Sequence, residues 1–90
     1  MKVRKHIYFS GQVQGVGFRY SATYLAAPLG LTGWVKNLWD GRVEMEVQGD
    51  ETAIWEFLAK LRDRRYIYIE DMDVSDVEVI EESRFRAISY

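Results

Sequence analysis

The sequence predicts an α+β fold of the ferredoxin-like kind, a βαββαβ sandwich with two helices on one face of an antiparallel sheet. Three observations predict it. Apolar residues alternate with polar ones in several short stretches, as in half-buried strands. They recur at helical spacing in two others. The elements follow in the order β-α-β-β-α-β, with a small extra strand at the end. A chain of 90 residues suits a single domain spanning 1–90.

Residues 5 to 13 alternate. Ile7, Phe9 and Gly11 face one way, and His6, Tyr8 and Ser10 face the other, which is a strand pattern. Residues 11 to 17 are too glycine-rich for regular structure. Ala22, Leu25, Ala26 and Leu29 then share one helix face. Pro28 lacks an N–H and clashes with the preceding turn, so it should end or bend that helix, and Gly30 fits the stop. Residues 32 to 38 and 42 to 48 read as two strands, and Asp40-Gly41 marks a hairpin between them. Asp50 suits a helix N-cap. Ile54, Phe57, Leu58 and Leu61 line one face of a helix running to about Arg64. Val74, Val77 and Val79 mark a long strand, with a short terminal strand around Phe85 and Ile88. Residues 66 to 73 are ambiguous between strand and loop.

Composition narrows the function. Apolar residues make up 48% of the chain and aromatic ones 14%, enough for a core. There is no cysteine and the only histidine is His6, so disulfides are excluded and a structural zinc site is not expected. No metal or other cofactor is expected. No apolar run is long enough to span a bilayer, and no stretch near Met1 resembles a secretory signal, so a cytoplasmic protein with no membrane partner is expected. The net charge of −2 argues against a nucleic-acid partner. Any anion site must be local. A monomer is expected, although an uncovered edge strand leaves dimerisation open.

The strongest local feature is Gly11-Gln12-Val13-Gln14-Gly15-Val16-Gly17-Phe18-Arg19, set between a strand and a helix. Glycines let successive backbone N–H groups turn inward, a concavity suited to anions. The following helix adds unpaired N–H groups and a partial positive charge. The planar fork of Arg19 matches phosphate oxygens. The motif is neither of the two common phosphate loops. It has no Lys-Ser or Lys-Thr pair, and Tyr20 stands where the dinucleotide fingerprint needs glycine. A tight turn with Arg19 on the surface is the plainer alternative. The second feature is Gly33-Trp34-Val35-Lys36-Asn37, which ends a strand before Trp39-Asp40-Gly41. The neutral amide of Asn37 can orient a water beside an anion without repelling it. Asparagine before a turn also commonly bonds its own backbone. Spacing does not fix how far Arg19 lies from Asn37. His6 reads as a strand residue, and Ser10 and Ser21 have no adjacent histidine to activate them. Glu44 and Glu46 read as a solvated strand face.

These two motifs, followed by Gly41-Arg42-Val43-Glu44 and Gly49, closely resemble the acylphosphatase family, with chain length and element order in agreement. The resemblance implies a ferredoxin-like fold. It implies metal-independent hydrolysis of the carboxyl–phosphate bond of acyl phosphates, small-molecule substrates, to a carboxylate and inorganic phosphate. It implies that Arg19 binds the phosphoryl group together with backbone amides of Gln14, Gly15, Val16, Gly17 and Phe18. It implies that Asn37 positions the attacking water. Pro28, which is far from Arg19, and the stretch 64 to 73, which lacks an expected proline-rich turn, depart from the family pattern. A non-catalytic binding module, for RNA or regulation, is the alternative, because RNA-recognition domains share this topology and Gly15-Val16-Gly17-Phe18 faintly echoes one of their motifs.

Overall fold

The computed structural model describes residues 1–89; Tyr90, the last residue of the expected domain, lies outside the described residues. The chain forms β1 (Lys2–Gln12), α1 (Phe18–Ala26), β2 (Thr32–Asn37), β3 (Val43–Asp50), α2 (Glu51–Arg62), β4 (Tyr68–Val77) and β5 (Phe85–Ile88). Both helices pack on one face of the sheet, the ferredoxin-like arrangement expected. The core lies between the layers. Ile7 and Phe9 of β1, Val43, Met45 and Val47 of β3, Ala22 and Ala26 of α1, and Ile54, Phe57 and Leu61 of α2 are all fully buried. The alternation in β1 and the helical spacing in α1 and α2 thus translate directly into buried faces.

The sheet runs β4-β1-β3-β2-β5. Four strands pair antiparallel, but β5 pairs parallel to β2, with Gly33 opposite Phe85 and Lys36 opposite Ile88. The antiparallel expectation therefore holds for β1 to β4, and the sheet as a whole is mixed. The physical reason is the route of the chain. β4 occupies one edge and β5 the other, so residues 78–84 must cross the sheet between them. Val47 points into the helix-side core, so its neighbour Gln48 points to the opposite face. There the Gln48 amide donates to the Ile80 carbonyl (2.7 Å) and its oxygen accepts from the Ile80 N–H (2.9 Å). Arg4, buried beside Gln48, donates to Glu46 (2.6 Å), Glu82 (2.7 Å) and Gln48 (3.1 Å). The crossing segment is pinned by side chains to the helix-free face.

Several boundaries differ from the sequence reading. β1 starts at Lys2, because Lys2, Val3 and Arg4 pair with Asp50, Gly49 and Gln48. β4 starts at Tyr68, so most of the ambiguous stretch is strand, and Val79 falls in the crossing segment. α2 stops at Arg62, where Asp63 closes its last turn onto the Ala59 and Lys60 carbonyls. Asp50 caps α2 as expected, accepting from the Thr52 N–H at 3.2 Å. Pro28 acts as its chemistry requires: α1 ends at Ala26 and passes into one 3-10 turn, Ala27–Leu29, closed by Gly30. Gly33 allows a close approach inside the sheet. Its φ is 143°, and a Cβ there would sit 1.9 Å from the Glu46 carbonyl oxygen, so β2 and β3 can pair only with glycine at this position.

Candidate active site

The loop between β1 and α1 is fixed at both ends by burial. Val13 is fully buried at its start, and Phe18 packs edge-to-face on Phe9 at its end, with centroids 4.9 Å apart. Between them Gly15 and Gly17 adopt φ of 72° and 76°, a left-handed conformation that costs a residue with a side chain about 1–2 kcal/mol. Gly17 occupies the N-cap of α1, and no side chain caps the helix. The first helical bond runs from the Ser21 N–H to the Gly17 carbonyl at 2.9 Å, so the N–H groups of Phe18, Arg19 and Tyr20 precede the ladder. No acidic residue lies in that first turn to neutralise its partial positive charge.

Gln14 ties the loop to the β2–β3 hairpin. Its amide donates to the Leu38 carbonyl at 2.8 Å and to the Arg42 carbonyl at 2.9 Å. The hairpin is held in turn by the Leu38 N–H to the same Arg42 carbonyl, 2.8 Å. Asp40 accepts from the Arg42 N–H and Nε, and those bonds hold its carboxyl below the usual carboxylate range. The Gln14 staple brings the end of β2, and with it Asn37, against the glycine loop.

Arg19 is anchored by a neutral group. Its Nη1 donates to the Ile88 carbonyl on β5 at 2.9 Å and lies 3.5 Å from the Ser89 hydroxyl. It has no carboxylate partner among the described residues. The guanidinium therefore keeps its full charge and most of its donors for a ligand. Arg19 and Asn37 line one cleft of about 220 Å³, together with Gly15, Gly17, Phe18 and Tyr20. Of the remaining loop residues singled out from the sequence, the Gln14 side chain acts as the staple, and Val16 faces a neighbouring cleft.

Other candidates resolve into structure. His6 bonds Glu44 through Nε2 at 2.7 Å on the helix-free face. The Ser21 hydroxyl accepts from Arg64 Nε at 3.2 Å. Glu44 and Glu46 stand on β3, near the middle of that face, where a stacked nucleic acid would lie. The Gly15-Val16-Gly17-Phe18 echo sits in the loop and the first residue of α1 rather than on a central strand. Among the described residues no three carboxylate or imidazole groups converge. Two groups escaped the sequence reading, Gln14 as a staple and the Ile88 carbonyl as the anchor of Arg19. A polar residue within an apolar loop was a signal for the first, and a backbone carbonyl gives none.

The family model described as "Acylphosphatase" matches residues 5–87. A protein named acylphosphatase from Clostridium perfringens is 46% identical over 77 residues, covering 81% of this chain and 86% of its own length. The crystal structure of acylphosphatase from Bacillus subtilis superposes with a TM-score of 0.87 at 37% identity, covering 100% of both chains. The structure of an acylphosphatase from Coxiella burnetii gives a TM-score of 0.88 at 34% identity, over 97% of this chain and 93% of that one.

Proposed function

Because this chain belongs to the acylphosphatase family, we propose that it hydrolyses the carboxyl–phosphate bond of acyl phosphates, with Arg19 and Asn37 at the reacting centre. One observation carries the assignment: a guanidinium with no carboxylate partner among the described residues shares a small cleft with a glycine-loop helix start and a neutral amide. Arg19 and the amides of the 14–18 loop hold the phosphoryl oxygens. Asn37 holds a water in line with the bond that breaks.

The chemistry needs little more. The water oxygen bonds to phosphorus, and the bond from phosphorus to the carboxylate oxygen breaks. Its electron pair leaves on the carboxylate, and the water proton passes to the phosphate. A carboxylate is a good leaving group, so no strong general acid is required. The protein contributes position and charge stabilisation of the equatorial oxygens. On this reading the reaction needs no metal, and the protein works as one domain, a cytoplasmic monomer.

The test is hydrolysis of benzoyl phosphate by the purified protein with a chelator present. Release of benzoate and phosphate at an undiminished rate is expected. No release with or without added magnesium would remove the assignment, and release only with magnesium would remove its metal-independent form.

A further inference from the structure

A second cleft, of about 430 Å³, adjoins the first. The two share Gly17 and Tyr20, so they lie side by side with a common wall. The far side of the second cleft is built by Arg64 and Arg65, in the turn that follows α2. This turn belongs to the stretch that departs from the family pattern.

Five of the chain's twelve basic side chains are paired with carboxylates. Arg4, Lys5, Lys36, Arg42 and Lys60 each sit within ion-pair distance of a carboxylate. Arg64 and Arg65 have none within that distance among the described residues. Arg64 is nevertheless held in place. Its Nε donates to Ser21 at 3.2 Å and its guanidinium lies 5.7 Å from the centroid of the Tyr24 ring, which leaves both terminal nitrogens with donors to spare. Arg65 lies over the Tyr66 ring at 5.6 Å, which orients it without neutralising it. Asp63 also lines the cleft and reduces the charge there, but two guanidiniums against one carboxylate leave it positive in a chain of net charge −2.

We propose that this cleft receives the far end of the acyl group, and that Arg64 and Arg65 select acyl phosphates bearing a second anionic group. The inference rests on the acylphosphatase reading and deepens it by naming the substrate class. The reactive phosphate sits in the glycine-loop cleft on Arg19. The acyl chain passes Gly17 and Tyr20. A terminal carboxylate or phosphate meets the guanidinium pair. Contacts of this exposed kind are individually weak, so they tune selectivity rather than create activity.

The experiment compares kcat/KM for succinyl phosphate, which carries a second carboxylate, with that for acetyl phosphate, which does not. The wild-type protein should prefer succinyl phosphate, and the preference should fall as salt is raised. In Arg65→Ala the succinyl-to-acetyl ratio should drop about threefold, and in the double variant Arg64→Gln, Arg65→Gln about tenfold. Arg65→Lys should retain part of the preference. A ratio that is the same in wild type and in both charge-removing variants overturns the inference while leaving the hydrolytic assignment intact. Failure of the wild type on both substrates is a failure of that assignment instead. Because the readout is a ratio within one preparation, partial misfolding of a variant cancels.

Discussion

Arg19 is fixed by a carbonyl, and that choice of partner separates its two tasks. The Ile88 carbonyl sets the direction of the guanidinium without consuming its charge, whereas a carboxylate would compete with any anionic ligand. Arg19→Ala is therefore expected to abolish measurable hydrolysis of benzoyl phosphate and to weaken inhibition by inorganic phosphate at least tenfold, roughly the worth of a charge-assisted contact. Asn37→Ala should behave differently. Turnover should fall on the order of a hundredfold, in keeping with the loss of a positioned group, while the inhibition constant for phosphate stays within about twofold. Steady-state kinetics with phosphate as inhibitor measures both. Near-normal turnover in Asn37→Ala would remove that residue from the mechanism. At this scale the sequence singled out Arg19 and Asn37 as candidates through their motifs. It could not show their shared cleft, because that depends on the β1-β3-β2 order and on Gln14 reaching across to the hairpin.

The second helix begins on Asp50, which does double service. Its carboxylate accepts from the Thr52 N–H at 3.2 Å and from the Met1 ammonium group at 3.0 Å, and the Glu51 N–H donates to the Met1 carbonyl at 3.0 Å. The bond to the N-terminal amine, its charge and then the helix amides hold the Asp50 carboxyl below its usual range. A carboxyl lowered in the folded state stabilises fully above its unfolded pKa, near ~3.9, and loses that contribution as pH falls through the folded value. Asp50→Asn should accordingly lower the midpoint of thermal unfolding at pH 7. The gap from wild type should narrow as the pH is taken below about 4. Scans between pH 2 and 7 test this, and a gap that stays constant over the range would contradict it. The cap was legible in the sequence, since aspartate before an apolar-periodic stretch is a known start signal. The β4 boundary was not. Glu70, Asp71 and Asp73 interrupt its alternation, because an edge strand needs little burial and acidic residues there discourage pairing with a second chain.

Across the whole molecule the two sheet edges are joined by residues 78–84, and Arg4 holds that crossing to the sheet. Its side chain is almost completely buried, at 1% exposure. Burial opposes its charge, but the bonds to Glu82 and Glu46 more than compensate and raise its pKa further above an already basic value. Arg4→Leu should cost about 3–5 kcal/mol, because it strands two partly buried carboxylates beside each other. Denaturant unfolding measures the loss, and a change under about 1 kcal/mol would refute the role given to the network. Nothing in the sequence announced this, because an arginine next to Lys5 and two residues after Lys2 reads as a surface charge until a distant segment is known to cover it. For the same reason β5 read as an extra strand of unknown partner: its parallel pairing joins residues 33–36 to residues 85–88, a separation that local periodicity does not encode. The anchor of Arg19 lies on that strand, at Ile88, far along the chain from the loop it serves. On the ribosome the loop, both helices and the hairpin emerge first, and the guanidinium gains its fixed direction only once the eighty-eighth residue has been added. A nascent or prematurely terminated chain would carry both motifs of the candidate site and still lack the anchor that aims Arg19.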